Sequence, residues 1–240
     1  MTNNKRTKRL PRIILNQFLV GLLMATVALS VLFFAEGYRF NFKNFRIIKT
    51  GVLYLSSQPK SAAIYINNKK LKETTPFAKN LTAGTYNAKV ELAGYKTWST
   101  SFKVESGLVN EFDQIILFKE NPEISNLNDQ RKINYLNSPV ENLAILNSKN
   151  YLEENGYEIW QNKLLVTRFS EPINSVLWYP GLNNILYQQG DEIRIIEISG
   201  ANDTLLVKLS GTDSTRYTVN NAGDELYYLD GSQYKIAKIR

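Results

Sequence analysis

An all-β region carried on a single N-terminal transmembrane helix is the fold class this sequence predicts, and three observations predict it. An uncharged run from Ile13 to Ala35 follows a cluster of five basic residues. Residues 50 to 118 alternate apolar and polar side chains between closely spaced turn residues, the pattern of a small half-buried β-sandwich. Residues 124 to 240 repeat a hairpin with a tight glycine turn, which predicts β-meanders resembling propeller blades.

The apolar run is 23 residues long. At about 1.5 Å per residue a helix of that length crosses a hydrocarbon layer of about 30 Å. Asn16 and Gln17 are its strongly polar members and lie near the basic end, within reach of headgroups. A cleaved signal peptide has a shorter apolar core, about 7–15 residues, followed by a small-x-small site. Here the small pair Ala28 and Ser30 sits inside the run, which ends Phe33-Phe34-Ala35 with a bulky residue three positions from the end. The expectation is an uncleaved anchor contacting the lipid bilayer through Ile13–Ala35. Lys5, Arg6, Lys8, Arg9 and Arg12 make residues 1–12 a basic tail, which the positive-inside rule assigns to the cytoplasm, with the C-terminal region outside.

The net charge of +7 is concentrated around the anchor. Five bases precede it, and Arg39, Lys43, Arg46 and Lys49 follow it against the single acid Glu36. Residues 50 to 240 hold 20 bases and 21 acids. A nucleic-acid interface needs its positive charge on the folded part, so no nucleic-acid partner is expected. Residues 36–49 interleave bases with Tyr38, Phe40, Phe42 and Phe45; they read either as a juxtamembrane linker or as a segment lying on anionic headgroups.

Within residues 50–118, strands are expected at Val52–Ser56, Ala63–Ile66, Tyr86–Leu92, Trp98–Val104 and Phe112–Phe118. Asn67-Asn68, Ala83-Gly84 and Gly94-Tyr95 supply turns, and Thr75-Pro76 a connection, since proline cannot donate to a central ladder. Gly84 is the turn glycine expected to be most sensitive to substitution. The run Ser57-x-Pro59-x-x-Ala62, then Ile64-Tyr65-Ile66, Thr75-Pro76, Leu81-x-x-Gly84-x-Tyr86 and Gly94-Tyr95 resembles the PEGA domain. Pro59-Lys60-Ser61-Ala62 departs from the namesake Pro-Glu-Gly-Ala. The resemblance implies a transthyretin-like sandwich of the kind found on prokaryotic surface and signalling proteins, and it implies no catalytic residue.

A polar connection, residues 119–123, leads to the repeat. Hairpin turns are expected at Asn155-Gly156, Gly190-Asp191 and Asp230-Gly231, and Ile185-Leu186-Tyr187 recurs 41 residues later as Leu226-Tyr227-Tyr228. Val176 to Gly181 is similar to the strand and Pro-Gly turn of WD-type and Tol-type repeats. Closure needs about four or more blades, so residues 124–240 are expected to form an open, partial propeller-like region. Its end faces would be covered by the first domain, a second copy or a partner.

The chain has no histidine and no cysteine, which removes histidine-dependent nucleophilic catalysis and the usual zinc ligand sets; no metal or cofactor is expected. The acid pairs Glu153-Glu154, Asp191-Glu192 and Asp224-Glu225 point to opposite faces when they lie on strands, so none forms a glycosidase dyad by itself. Trp178, Tyr179, Tyr187, Tyr227 and Tyr228 are the candidate ligand surface for a glycan or peptide, with blade core as the alternative. The function expected is that of a non-enzymatic, membrane-anchored structural or binding protein of a prokaryotic envelope. Its partners would be envelope proteins, wall polymer, glycans or a second copy. A wall-polymer hydrolase and a sensor subunit are the alternatives; the sensor would need a partner, since the basic tail is too short for an output domain.

Overall fold

The apolar run forms one helix, α1 (Arg9–Ala35), because nothing in it breaks an intrahelical ladder. Its 22 residues Ile14–Ala35 have a mean hydropathy of 2.5 and bury none of their surface against the rest of the chain. The computed structural model describes residues 9–41, 45–138 and 152–240. Everything folded beyond α1 is mostly β, in open sheets without a closed barrel.

Eight strands follow α1: β1 (Tyr38–Asn41), β2 (Arg46–Gln58), β3 (Ala63–Ile66), β4 (Lys69–Thr74), β5 (Phe77–Thr82), β6 (Gly84–Glu91), β7 (Trp98–Val104) and β8 (Val109–Ile116). They make two four-stranded sheets, one in the order β1-β2-β5 with β8 also on β2, the other in the order β4-β3-β6-β7. The chain divides into two compact units. The first comprises Met1–Tyr54, Phe77–Tyr86 and Phe102–Glu111; the second comprises Leu55–Pro76, Asn87–Ser101 and Phe112–Arg240.

In the first unit, the segment expected as a linker is structured. β1 pairs antiparallel with the start of β2, in the register Tyr38↔Lys49, Arg39↔Ile48 and Phe40↔Ile47. β2 then continues without interruption to Gln58. The alternation of β2 buries Leu53 and Leu55 completely, as period-two patterning requires.

In the second unit, β3 pairs antiparallel with both β4 and β6. Beyond residue 116 come β9 (Glu123–Asn126), α2 (Gln130–Asn137), β10 (Leu152–Glu154), β11 (Glu158–Gln161), β12 (Leu164–Arg168), β13 (Ile173–Trp178), β14 (Asn184–Gln189), β15 (Glu192–Glu197), β16 (Thr204–Lys208), β17 (Tyr217–Val219), β18 (Glu225–Asp230) and β19 (Gln233–Lys238). They form three sheets, β10-β11-β12, β13-β14-β15-β16 and β17-β18-β19-β9. The expected turns join β10 to β11, β14 to β15 and β18 to β19, with positive φ at Gly156, Gly190 and Gly231. The last turn sits one residue later than expected, at Gly231-Ser232, because Asp230 still pairs with Gln233.

The middle sheet is apolar on both faces. Along β14, Leu186 enters one core with Ile193, Ile195, Leu226 and Tyr228, while Ile185 and Tyr187 enter another with Ile159, Ile173 and Trp178. Each core therefore binds the middle sheet to a neighbouring one. On the other face of the third sheet, Tyr227 packs with Leu127 of the preceding loop and Leu136 of α2. Asp129 caps α2 by accepting the Arg131 N–H at 2.9 Å. One end face is thus covered by a helix that the sequence reading did not anticipate. On the first sheet and its β10–β11 turn, Tyr157, Leu164 and Leu165 remain exposed.

The connection 119–123 is tied down on both sides. Lys119 N–H donates to the Ile239 carbonyl at 2.9 Å, and Glu123 pairs with both Lys119 and Lys238. Nearby, Trp98 Nε1 donates to Glu197 at 2.5 Å, and Asn202 bridges the same carboxylate to the Ser99 N–H.

Candidate functional site

The end of α1 is where the first unit concentrates specific structure. A helix leaves its last carbonyls without intrahelical donors. Here Gly37, at φ 80°, turns the chain in the left-handed region and donates to the Phe34 carbonyl at 3.2 Å. Arg39 supplies a second cap. Its guanidinium donates to the Phe34 carbonyl at 2.7 Å and lies 3.5 Å from the centre of the Phe34 ring. A cation at this end also opposes the helix dipole.

Gly37 is locked into the sheet as well. Its carbonyl accepts from the Thr50 N–H at 2.7 Å and from Thr50 Oγ1 at 2.9 Å. The Thr50 carbonyl accepts from the Gly107 N–H at 3.0 Å, and Ser106 Oγ donates to the Glu36 carbonyl at 2.7 Å. A Cβ on Gly37 would collide with the Thr50 carbonyl and the Gly107 amide, so glycine is required on steric grounds too. Helix, ribbon and the 106–107 turn therefore form one collar.

By its register, the β1–β2 ribbon places Tyr38, Phe40, Ile47 and Lys49 on one face. Phe33 meets Tyr38 edge-on at 5.4 Å, Phe45 meets Phe40 at 6.1 Å, and the Lys49 ammonium stands 5.3 Å from the Tyr38 ring centre.

The five aromatic residues expected as a ligand surface lie elsewhere, and the structure corrects that reading. Trp178, Tyr179, Tyr187, Tyr227 and Tyr228 are all buried, none more than 4% exposed. Stacked sheets cover both faces of the strands that carry them. Each tyrosine hydroxyl with a defined partner is used internally. Tyr179 donates to the Gly223 carbonyl at 2.6 Å, Tyr187 to Asp203 at 2.8 Å, and Tyr227 to Glu225 at 2.5 Å. Burial pushes the Tyr179 and Tyr228 phenols up to about 12, and it raises Tyr187 and Tyr227 as well. The alternative reading, core, is what the side chains do.

The acid pairs are equally occupied. Asp191 pairs with Lys208 at 3.2 Å and Glu192 with Arg194 at 2.6 Å. Asp224 accepts from Asn220 at 2.6 Å, and Glu225 pairs with Lys132 at 2.7 Å, which together with Tyr227 holds its carboxyl below the ordinary value. Burial alone raises Glu154; the side chain of Glu153 lies outside the described residues. Sequence reasoning missed Asp230 as well. Lys235 at 2.6 Å and Ser210 at 2.5 Å hold its carboxyl down to about 2.

The residues that carry the PEGA resemblance form a knot in the second unit. Ser57 Oγ meets Thr75 Oγ1 at 2.6 Å and donates to the Pro59 carbonyl at 2.6 Å; Thr75 Oγ1 accepts from the Ala62 N–H at 3.1 Å. Ser57, Ala62 and Thr75 are buried. The motif therefore satisfies backbone groups where the chain turns between strands, and its conserved-looking polar atoms are not presented to a ligand.

Compared with known families, residues 50–116 match the PEGA domain. No curated protein matches the chain. The chain thus carries a PEGA domain behind an N-terminal apolar helix, followed by three antiparallel sheets.

Proposed function

We propose that this chain is a membrane-anchored, non-catalytic structural and binding protein of a prokaryotic envelope. α1 spans the bilayer with the basic tail in the cytoplasm, and the PEGA domain and C-terminal sheets lie outside, contacting envelope proteins, wall polymer or glycans. The observation that carries this reading is the collar. An exposed helix of mean hydropathy 2.5 passes through Gly37 directly into the sheet that begins the PEGA domain. A helix kept as an anchor needs such a defined exit, whereas a removable leader does not.

The absence of an enzyme role is supported by the acids. Asp191, Glu192, Asp224 and Glu225 all engage a cation or a hydrogen-bond donor. For the C-terminal region we adopt a partial propeller-like arrangement. It is supported by the three successive meanders and by β9, which joins the last sheet from far upstream in sequence through pairs such as Glu123↔Lys238.

Protease treatment of intact spheroplasts tests the topology, and should digest the C-terminal region while sparing α1 and the tail. A mature protein beginning after Ser30 or Ala35 would overturn the anchor. A pull-down from envelope material, with wall polymer and proteins scored separately, tests the binding role. Turnover of wall polymer by purified protein would overturn the non-catalytic assignment.

A further inference from the structure

The β1–β2 ribbon carries apolar surface that no second layer covers. Phe40, Phe45 and Ile47 are 47%, 80% and 62% exposed. In a soluble setting a two-stranded ribbon with such a surface is a liability. The surface does not stop at the ribbon. Through the Phe33–Tyr38 contact it runs into the exposed apolar surface of α1, where Phe33 and Phe34 are 52% and 62% exposed. A protein-docking patch is normally rimmed by polar residues; here one border is the spanning helix itself. Charge points the same way. From Gly37 to Lys72 the sequence contains no acid, and Arg46 and Lys49 are exposed.

We infer that the β1–β2 ribbon is an interfacial membrane-binding element, whose Phe40, Phe45 and Ile47 enter the headgroup region of the outer leaflet while Arg46 and Lys49 engage anionic lipid phosphates. Amphipathic aromatics favour that depth, and bases near an anionic leaflet are attracted within a Debye length. The inference rests on the anchor reading of α1 and adds to it a fixed standoff. Because Gly37 and Thr50 join helix to sheet, a ribbon resting on the bilayer sets the tilt of the strands that follow it in the collar.

The chain has no cysteine, so single nitroxide labels are site-specific in the full-length protein. Labels would be placed at Phe45→Cys and Ile47→Cys, with Leu23→Cys in mid-helix and Lys72→Cys on exposed β4 as references. The protein is reconstituted into phosphatidylcholine vesicles, with and without phosphatidylglycerol. Collision with oxygen and with a water-soluble nickel chelate then reports depth. Positions 45 and 47 should lie between the references, with an oxygen-to-nickel ratio several-fold above that at Lys72. They should move deeper when phosphatidylglycerol is present, and Arg46→Glu with Lys49→Glu should abolish that increment. Labels at 45 and 47 that match Lys72 in both vesicles, while Leu23 reads as hydrocarbon, overturn the inference and leave the anchor standing. Depth that ignores phosphatidylglycerol overturns the anionic selectivity. A water-accessible Leu23 overturns the anchor reading itself.

Discussion

The collar and the C-terminal sheets are both built on aromatic-rich strands, yet they dispose of the aromatics in opposite ways. On the β1–β2 ribbon Phe45 is 80% exposed, whereas Tyr187 in β14 is 0% exposed. Local sequence does not explain the contrast, since Tyr38-Arg39-Phe40 and Leu226-Tyr227-Tyr228 are both short aromatic strands. The difference is the number of layers. β14 is a central strand with a sheet against each face, and β18 has a sheet on one face and α2 on the other. The ribbon has two strands of its own and no facing sheet of this kind. Aromatic content therefore marks where burial is required, and the neighbouring layers determine whether protein or lipid provides it.

Deleting core volume should give the largest effect. Leu186→Ala, at a position with no exposed surface, should cost about 2–5 kcal/mol in urea unfolding. Phe45→Ser on the ribbon should change the same transition by less than about 0.5 kcal/mol. Comparable losses at the two sites would erase the distinction drawn here.

Next in size is Gly223→Ala. Gly223 has φ 72°, and an added Cβ would strike the Tyr179 hydroxyl that donates to the Gly223 carbonyl. A loss of about 1–3 kcal/mol is expected, together with a change in tyrosine absorbance near the phenol's raised pKa of about 12. Gly84 serves as the contrast. Its φ of 157° borders the extended region, and a Cβ would meet Tyr86 at an ordinary 3.8 Å. Gly84→Ala should therefore be the milder change, contrary to the ranking that its sequence position suggests.

Asp230 gives the acid-side test. Its folded pKa is lowered from 3.8 to about 2 by Lys235 and Ser210, so its ionised form stabilises the fold. That contribution is fully present above the unfolded value of 3.8 and is lost as pH falls through about 2. Asp230→Asn should destabilise by about 1–3 kcal/mol at neutral pH. It should also flatten the decline in thermal midpoint across that acid window. An unchanged slope would mean that Lys235 and Ser210 do not set the titration.

The smallest effect is expected at the collar. Arg39→Ala removes the donor to the Phe34 carbonyl and the cation over its ring. The cost should be about 0.5–1 kcal/mol. Hydrogen exchange should localise it to the last turn of α1, with the C-terminal sheets unaffected. Protection lost across β14 instead would contradict a collar that acts locally.

By itself the sequence determined whatever depends on near neighbours in the chain. α1 was legible from its uncharged length, and the glycine turns at 156, 190 and 231 from the few conformations that tight hairpins allow. The PEGA region was legible as an ordered series of turn motifs, each satisfied locally, as in the Ser57–Thr75 knot. β4 and β5 were not legible, because their residues are largely exposed on both faces and so show no alternation. The ribbon looked like a linker because the bases between its aromatics mask a pairing that only the register reveals. Only the tertiary structure decided which aromatics are core, that α2 covers the outer face of the last sheet, and that β9 closes that sheet through Glu123↔Lys238. Burial is a property of the second layer. That layer comes from residues a hundred or more positions away, beyond the reach of any pattern confined to one strand.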